Sequence, residues 1–177
     1  MERRPLGRTG LEVPRLSLGT MTWGEQNDAA EAFAQMDLAL EAGAGLFDAA
    51  EMYPIPPRRE TAGRTEAIIG SWLKARPGAR EKVLIATKVA GRSDGMTWLR
   101  DPEEPVRVTP RQIERAVEAS LRRLGTDRID LYQVHWPERP MPGFGGNATV
   151  YRAPAPAADP VTPIEVQLEA LTRLEEA

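Results

Sequence analysis

Residues 83–89, with the sequence Val-Leu-Ile-Ala-Thr-Lys-Val, form a run that stays apolar up to Lys88. A strand that faces water on one side alternates polar and apolar side chains, whereas a continuously apolar strand needs cover on both faces. Such strands are typical of parallel sheets, whose crossover connections are helices that pack on the sheet. The run therefore predicts a parallel α/β fold.

Strand-like and helix-like segments alternate along the chain around this run. An N-terminal hairpin is predicted at 4–13, and further strands at 16–24 with its loop, 45–48 and 129–135. Capping residues and apolar stripes at helical spacing predict helices that begin at Asn27 or Asp28, Thr65, Thr109 and Thr162. The stripe of the last helix comprises Ile164, Leu168, Leu171 and Leu174. Four strands alternating with four helices fit either a doubly wound sheet or a barrel.

The composition excludes several classes of function. With a net charge of -3 and acidic and basic residues interspersed, the chain offers no basic face for nucleic acid. It contains no cysteine and one histidine, so disulfides, zinc–thiolate sites and His-rich metal sites are excluded. No apolar run approaches the roughly 20 residues that span a bilayer, and the N-terminal residues lack the apolar core of an export signal. We therefore expect one cytoplasmic domain over residues 1–177 without a metal ion.

Four chemically useful side chains lie at or near the ends of successive predicted strands. Asp48 ends the strand 45–48, Lys88 lies near the end of 83–89, and His135 ends 129–135. Tyr53 follows in the loop after Asp48, just before a proline-rich run. Each could be structural on its own, since an aspartate can cap a turn and a lone histidine can pack in a core. Ligands of parallel α/β folds bind at the carboxyl ends of strands, however, so we expect the four to share one site.

Together these side chains support proton transfer to a carbonyl oxygen. A phenol has a pKa of about 10, and bringing the pKa of Tyr53 toward 7 requires roughly 4 kcal/mol of stabilisation of its anion. A buried ammonium at Lys88 can supply part of this, while Asp48 keeps that ammonium charged. His135, as a neutral imidazole, could donate a hydrogen bond to a substrate oxygen. No amino-acid side chain supplies a hydride, so a reductase of this kind would need a cofactor.

Several segments form an ordered set of motifs. They are Phe47-Asp48-Ala49-Ala50-Glu51-Met52-Tyr53, Ile85-Ala86-Thr87-Lys88, Leu124-Gly125-Thr126-Asp127 and Ile129-Asp130-Leu131-Tyr132-Gln133-Val134-His135-Trp136-Pro137. Together they resemble the signatures of the aldo-keto reductases, and residues 52–57 with the long loop after Trp136 are similar to the Tas-like branch of that family. The resemblance covers essentially the whole chain. It implies an eight-stranded (β/α) TIM-type barrel that reduces aldehydes and ketones with NADPH.

The resemblance also implies a role for each matching residue. Tyr53 matches the proton donor, with Lys88 and Asp48 as its activating pair, and His135 matches the residue that orients the substrate. The implied cofactor-binding residues are Gly19, Thr20 and Met21 beside the nicotinamide and Asp48 near the ribose. The implied substrate-binding residues are Trp23, Tyr53, His135 and Trp136.

The chain has 177 residues, whereas a whole barrel takes about 250. We therefore expect the hairpin and the first four β/α units, which form the N-terminal half of such a barrel. A complementing C-terminal half or self-association would supply the rest. The preference for NADPH over NADH follows from the resemblance alone. An alternative function from a different class is a non-catalytic half-barrel that associates with itself or binds a partner through its open sheet edge.

Overall fold

The structure, a computed structural model, describes residues 1–141, 150 and 153–176. The predicted loop from Trp136 to Pro160 therefore lies partly outside the described residues. The chain divides into two compact units. The first comprises Met1–Val89 with Ala116–Gln133, and the second comprises Ala90–Arg115 with Val134–Ala177.

The N-terminal hairpin is present as predicted. Strands β1 (Arg3–Pro5) and β2 (Glu12–Pro14) pair antiparallel, with Arg4 opposite Val13. The connecting turn contains Gly7 and Gly10, whose φ angles of 57° and 77° suit glycine because a Cβ disfavours that region.

The remaining strands form one four-stranded sheet. They are β3 (Leu18–Gly19), β4 (Leu46–Asp48), β5 (Leu84–Val89) and β6 (Leu131–Val134), in the order β3-β4-β5-β6. The pairs β3–β4 and β4–β5 are parallel, with Phe47 between Leu18 and Ile85. All residues of β5 after Leu84 are buried, as the continuous apolar run predicted. The predicted parallel α/β fold is confirmed.

Within the described residues, four α-helices connect and follow these strands: α1 (Ala29–Glu41), α2 (Arg64–Ala75), α3 (Pro110–Leu124) and α4 (Ile164–Glu175), with short 3-10 turns at Arg80–Lys82 and Thr97–Leu99. The start of α1 is a complete capping box. Glu31 N–H donates to Asp28 Oδ1 (2.9 Å), and Asp28 N–H donates to Glu31 Oε2 (3.1 Å). At the start of α3, Gln112 N–H donates to Thr109 Oγ1, which is one of the two bonds of the capping box that the Thr-Pro-Arg-Gln motif predicts. The Gln112 side chain accepts the N–H of Arg107 instead. None of the helices in the described ranges is long and apolar enough to cross a membrane.

Two of the predicted helix caps are wrong. Helix α2 begins after Gly63, which adopts a positive φ of 76°, and Thr65 lies inside the helix. Its hydroxyl donates instead to Trp23 O (2.9 Å), a tertiary partner that a local capping motif does not reveal. Helix α4 is capped by Pro163 without a side-chain hydrogen bond, so Thr162 does not close a capping box either.

The apolar stripe predicted for α4 is also partly wrong. The side chains that this helix buries are Gln167 and Ala170, whereas Ile164 is 57% exposed and Leu168 54% exposed. Gln167 is held inward because its Nε2 donates to Thr162 O (2.7 Å) in the preceding turn. The buried face of α4 is thus rotated away from the most apolar one.

A continuous apolar core fills the first unit, with side chains from α1, α2, β4 and β5. Phe47 meets Trp72 edge to face, with ring centroids 5.6 Å apart and an interplanar angle of 75°. Trp72 Nε1–H donates to Asp37 Oδ1 (2.8 Å), so the polar atom of the buried indole is satisfied. The core therefore packs α2 firmly against the sheet.

A buried carboxylate adds a polar link between α2 and β5. Glu66 is fully buried and accepts hydrogen bonds from Thr87 Oγ1 (2.7 Å) and Arg123 Nε (2.6 Å). Because a buried charge is tolerated only with such partners, the three residues hold one another in place. This arrangement fixes the strand position next to Lys88.

Candidate active site

The ammonium of Lys88 is held at the carboxyl end of β4. Its Nζ lies 2.9 Å from Asp48 Oδ1 and donates to Ala49 O at 2.7 Å. The Lys88 side chain is 10% exposed, whereas that of Asp48 is 37% exposed. Backbone bonds continue past the end of β4, since Ala49 N–H donates to Ala86 O and Glu51 N–H to Lys88 O. The parallel register thus delivers both charges to one end of the sheet.

Tyr53 lies in the turn that follows, and Lys88 lies over its ring. Lys88 Nζ is 5.0 Å from the ring centroid, within the range of a cation–π contact. Tyr53 N–H donates to Ala50 O (3.0 Å), which closes the turn after β4. The structure therefore brings Asp48, Tyr53 and Lys88 together, as the sequence predicted.

The pKa of Tyr53 moves in the direction opposite to the one expected from the sequence. Burial of the phenol raises its pKa above the usual 10, and the nearby Asp48 carboxylate raises it further. Burial has this effect because a phenolate loses more hydration than a phenol does. In this state Tyr53 is a protonated phenol throughout the neutral range.

The segment after β3 lies beside this cluster. Gly19 pairs with Asp48 in the sheet, and the buried Thr20 donates its Oγ1–H to Asp48 O at 2.9 Å. Met21 O accepts the N–H of Ile55, while the Met21 side chain is exposed. The three residues expected beside the nicotinamide are therefore neighbours of the Asp48 strand end or its loop.

Trp23, which the sequence analysis expected to line a substrate pocket, contributes its side chain to the core. Its side chain is fully buried in the core of the first unit, and its Nε1–H donates to Gln35 Oε1 at 2.9 Å. The assignment of Trp23 to substrate binding stays a prediction. A large aromatic ring after a short strand was available to the core, and burial there removes its apolar area from water.

Gln133 belongs to the cluster and was missed by the sequence analysis. Its Nε2 lies 3.5 Å from Asp48 Oδ1, the oxygen that also contacts Lys88. The strand alternation contained a signal, because Gln133 and His135 are two positions apart and residues at that spacing share one face of a strand.

His135 and Trp136 belong to the second unit. They follow β6 directly, and their ring centroids lie 5.0 Å apart at an interplanar angle of 49°. Both border a cavity of about 510 Å³, which is also lined by Glu138, Val161 and Ile164. The two residues predicted to orient and enclose a substrate are therefore adjacent within this unit.

Two features around Asp48 concern the fit of a nicotinamide dinucleotide. The partly exposed Asp48 carboxylate is an acceptor of the kind that binds ribose hydroxyls. A Cβ built at Gly19 would meet nothing within 4 Å, so space is open beside that carboxylate. An acceptor with open space beside it fits the nicotinamide–ribose end of the cofactor.

Among the described residues, no cluster of three or more metal-ligating side chains occurs.

Comparison with known sequences finds a match to a family model and to individual relatives. The model of the Aldo/keto reductase family matches residues 15–177. Protein tas of Escherichia coli (strain K12) is 47% identical over 157 residues, which are 89% of this chain and 44% of that protein. The NADH-specific methylglyoxal reductase of the same organism is 34% identical over 155 residues, covering 79% of this chain and 43% of that protein. The chain thus spans just under half the length of these relatives.

Comparison with solved structures finds a member of the same family. The holo form of aldo-keto reductase AKR11C1 from Bacillus halodurans matches with a TM-score of 0.67 and 31% identity. The match covers 99% of this chain and 47% of that chain. The match thus extends over nearly all of the present chain and just under half of the other.

Proposed function

Because the chain belongs to the aldo/keto reductase family, we propose that it carries the proton-donating part of a site that reduces aldehydes and ketones to alcohols with NADPH. The family has the (β/α) barrel fold, of which this chain contains the hairpin and four β/α units. We also propose that the whole site is active. All 177 residues are assigned, as part of the same proposal, to a single domain that forms the N-terminal half of the barrel.

One observation carries the proposal: Lys88 lies between the Asp48 carboxylate, the Ala49 carbonyl and the face of the Tyr53 ring. A structural lysine would extend its ammonium to solvent, whereas this one is buried beside a phenol. Buried ionisable groups placed side by side are typical of sites that transfer protons.

The proposed reaction gives each side chain one task. When bound, the nicotinamide supplies the hydride that the carbonyl carbon receives. The Tyr53 hydroxyl donates its proton to the carbonyl oxygen, and the phenolate left behind is stabilised by Lys88. Asp48 forms the ion pair that holds Lys88 in place. Water then returns the proton to Tyr53.

The raised pKa of Tyr53 supports donation in one respect and opposes it in another. It keeps the phenol protonated and so ready to donate, but it makes the phenol a weaker acid.

We propose that His135 orients the carbonyl oxygen and that Trp136 forms a wall of the substrate site. Gly19, Thr20 and Met21 would contact the nicotinamide end of the cofactor.

The choice of NADPH over NADH is tested first. The purified chain is titrated with each cofactor while tryptophan fluorescence is followed, and carbonyl substrates are then screened by cofactor oxidation. Saturable binding of NADPH tighter than that of NADH supports the proposal. The relative named as NADH-specific makes the reverse order a real outcome, and it would overturn the NADPH assignment.

The role of Tyr53 is tested with Tyr53→Phe, which removes only the hydroxyl. We expect loss of carbonyl reduction by about 10² or more with cofactor binding retained. Tyr132→Phe is the matched control, because it removes the same group from β6. Equal turnover in Tyr53→Phe and the parental protein would contradict the assignment.

A second candidate function is self-association, which the exposed apolar face of α4 favours. Ile164 and Leu168 are each more than half exposed on neighbouring turns. A second copy of this chain would bury them. Sedimentation velocity across a concentration series tests this, with Leu168→Glu as the variant that should dissociate the dimer. A monomer at all concentrations would exclude it.

A further inference from the structure

The backbone at Gly91 and Arg92 makes an unusually close contact with Trp136. A Cβ added at Gly91 would lie 1.9 Å from Trp136 O and 2.4 Å from Trp136 Cδ1. Real Cβ atoms do not approach other atoms so closely, so position 91 excludes every residue except glycine unless Trp136 moves. The space that a Cβ would fill is occupied by the tryptophan itself.

The main chain of Arg92 bonds to the same tryptophan and to the residue after it. Trp136 Nε1–H donates to Arg92 O (2.9 Å), which fixes the direction of the indole ring. Arg92 N–H donates to Pro137 O (3.3 Å), which fixes the backbone just after it. The ring of Trp136 and the carbonyl of the next residue are therefore both bonded to Arg92.

The side chain of Arg92 anchors this arrangement. It is 5% exposed and contacts Glu138, itself 2% exposed, at 3.4 Å, as well as Asp159. Glu138 also accepts the N–H of Val108 at 2.6 Å. The guanidinium of Arg92 thus links Glu138, which follows Trp136 closely in sequence, to the distant Asp159. Its planar fork can contact two carboxylates at once, which an ammonium does less well.

We propose that Gly91 and Arg92 are positioning residues for Trp136, and that they thereby set which carbonyl compounds the site accepts. The inference rests on the proposed function, in which Trp136 forms a wall of the substrate site. Gly91 gives the tryptophan room to approach, and Arg92 fixes its ring and its backbone. Neither residue needs to contact the substrate.

The first test follows Trp136 directly and does not depend on activity. The full chain is labelled with 5-fluorotryptophan, and its four tryptophan signals are recorded by fluorine NMR, with Trp136→Phe assigning the relevant one. In Gly91→Ala we expect the Trp136 signal to move while those of Trp23 and Trp72 stay in place. Gly95→Ala is the matched control in the same unit, because a Cβ there meets nothing within 4 Å.

Arg92→Lys keeps the charge and provides the second variant if Gly91→Ala fails to fold. We expect the Trp136 signal to shift in this variant as well, because a single ammonium does not reproduce the two carboxylate contacts. A Trp136 signal that stays in place in a folded Gly91→Ala or Arg92→Lys protein would overturn the positioning role.

The second test separates substrate positioning from general damage. In an active preparation, Gly91→Ala should raise KM for a bulky aromatic aldehyde on the order of tenfold, with a smaller effect on a small aldehyde and unchanged cofactor affinity. Equal losses for all substrates would contradict the specificity role. A parental protein without reductase activity would contradict the proposed function instead, and the fluorine signals would still decide whether Trp136 is positioned by Gly91 and Arg92.

Discussion

Lys88 and Asp48 form an ion pair whose two partners differ in their access to water. The ammonium is buried under the end of the sheet, whereas the carboxylate is partly exposed, and Nζ and Oδ1 are 2.9 Å apart. Removal of the lysine would therefore leave a carboxylate that can be hydrated. Removal of the aspartate would leave a buried cation with fewer acceptors, which is the costlier change.

Lys88→Met tests the ammonium. Methionine replaces most of the lysine stem, and Asp48 can be hydrated, so we expect the protein to remain folded. In a preparation with reductase activity, kcat should fall by about 10² to 10⁴ because the phenolate of Tyr53 loses its nearby cation. Lys82→Met, at an exposed position, is the control. Steady-state kinetics and thermal unfolding are measured for both, and an unchanged kcat in Lys88→Met would refute the role of Lys88.

Tyr53→Phe also makes a prediction about alkaline pH. The folded state raises the pKa of Tyr53, chiefly by burial, so it holds the phenolic proton more tightly than the unfolded chain does. This contribution to stability is complete below the unfolded value of about 10 and is lost as pH rises through the raised pKa.

We therefore expect the parental protein to lose more stability than Tyr53→Phe above about pH 10. Denaturant unfolding at a series of alkaline pH values measures this. A difference titration of tyrosinate absorbance, parental minus Tyr53→Phe, gives the midpoint itself. A midpoint at or below the usual tyrosine value would contradict the burial of this phenol.

Local signals in the sequence predicted what local interactions determine. The apolar run at 83–89 is the buried strand β5, and the Asp28–Glu31 capping box starts α1, because each depends on residues within a few positions. Asp48 and Lys88 were predicted correctly as neighbours, since the parallel register places successive strand ends side by side.

Long-range interactions explain what the sequence did not reveal. Thr65 resembles a helix cap but donates to the backbone of Trp23, which lies 42 positions away. Trp23 itself is buried because the core has room for it, and nothing in its local sequence distinguishes a core ring from a pocket ring. The contacts of Arg92 with Asp159 span 67 positions, so no local pattern could have predicted them.

Asp159 gives a prediction at acid pH. The hydrogen bond from Arg107 is the main reason that the pKa of Asp159 falls to about 2, with Arg92 adding to it. The pair therefore stabilises the folded state above the unfolded pKa of about 3.9, and this contribution disappears as pH falls toward 2. Asp159→Asn should be less stable than the parental protein at neutral pH, with the difference closing between about pH 4 and 2.

Denaturant unfolding midpoints across that pH range measure the effect. Glu169→Gln, which changes an exposed carboxylate in the middle of α4, is the control. A difference between Asp159→Asn and the parental protein that is independent of pH would indicate lost packing or a lost neutral hydrogen bond, and would contradict the electrostatic account.

Gly70→Ala should destabilise the protein although alanine is the better helix former. A Cβ at this position of α2 would lie 2.5 Å from Arg123 O and 2.7 Å from Leu124 O, both backbone atoms near the end of α3. Backbone atoms yield less readily than a flexible side chain, so the helices must separate. We expect a cost of about 1–3 kcal/mol, against the roughly 1 kcal/mol that alanine gains in an unobstructed helix. Gly95→Ala, where a Cβ meets nothing within 4 Å, should change the free energy of unfolding by no more than about 0.5 kcal/mol. Urea unfolding of both variants measures this difference, and a Gly70→Ala protein as stable as the parental one would contradict the close packing of α2 against α3.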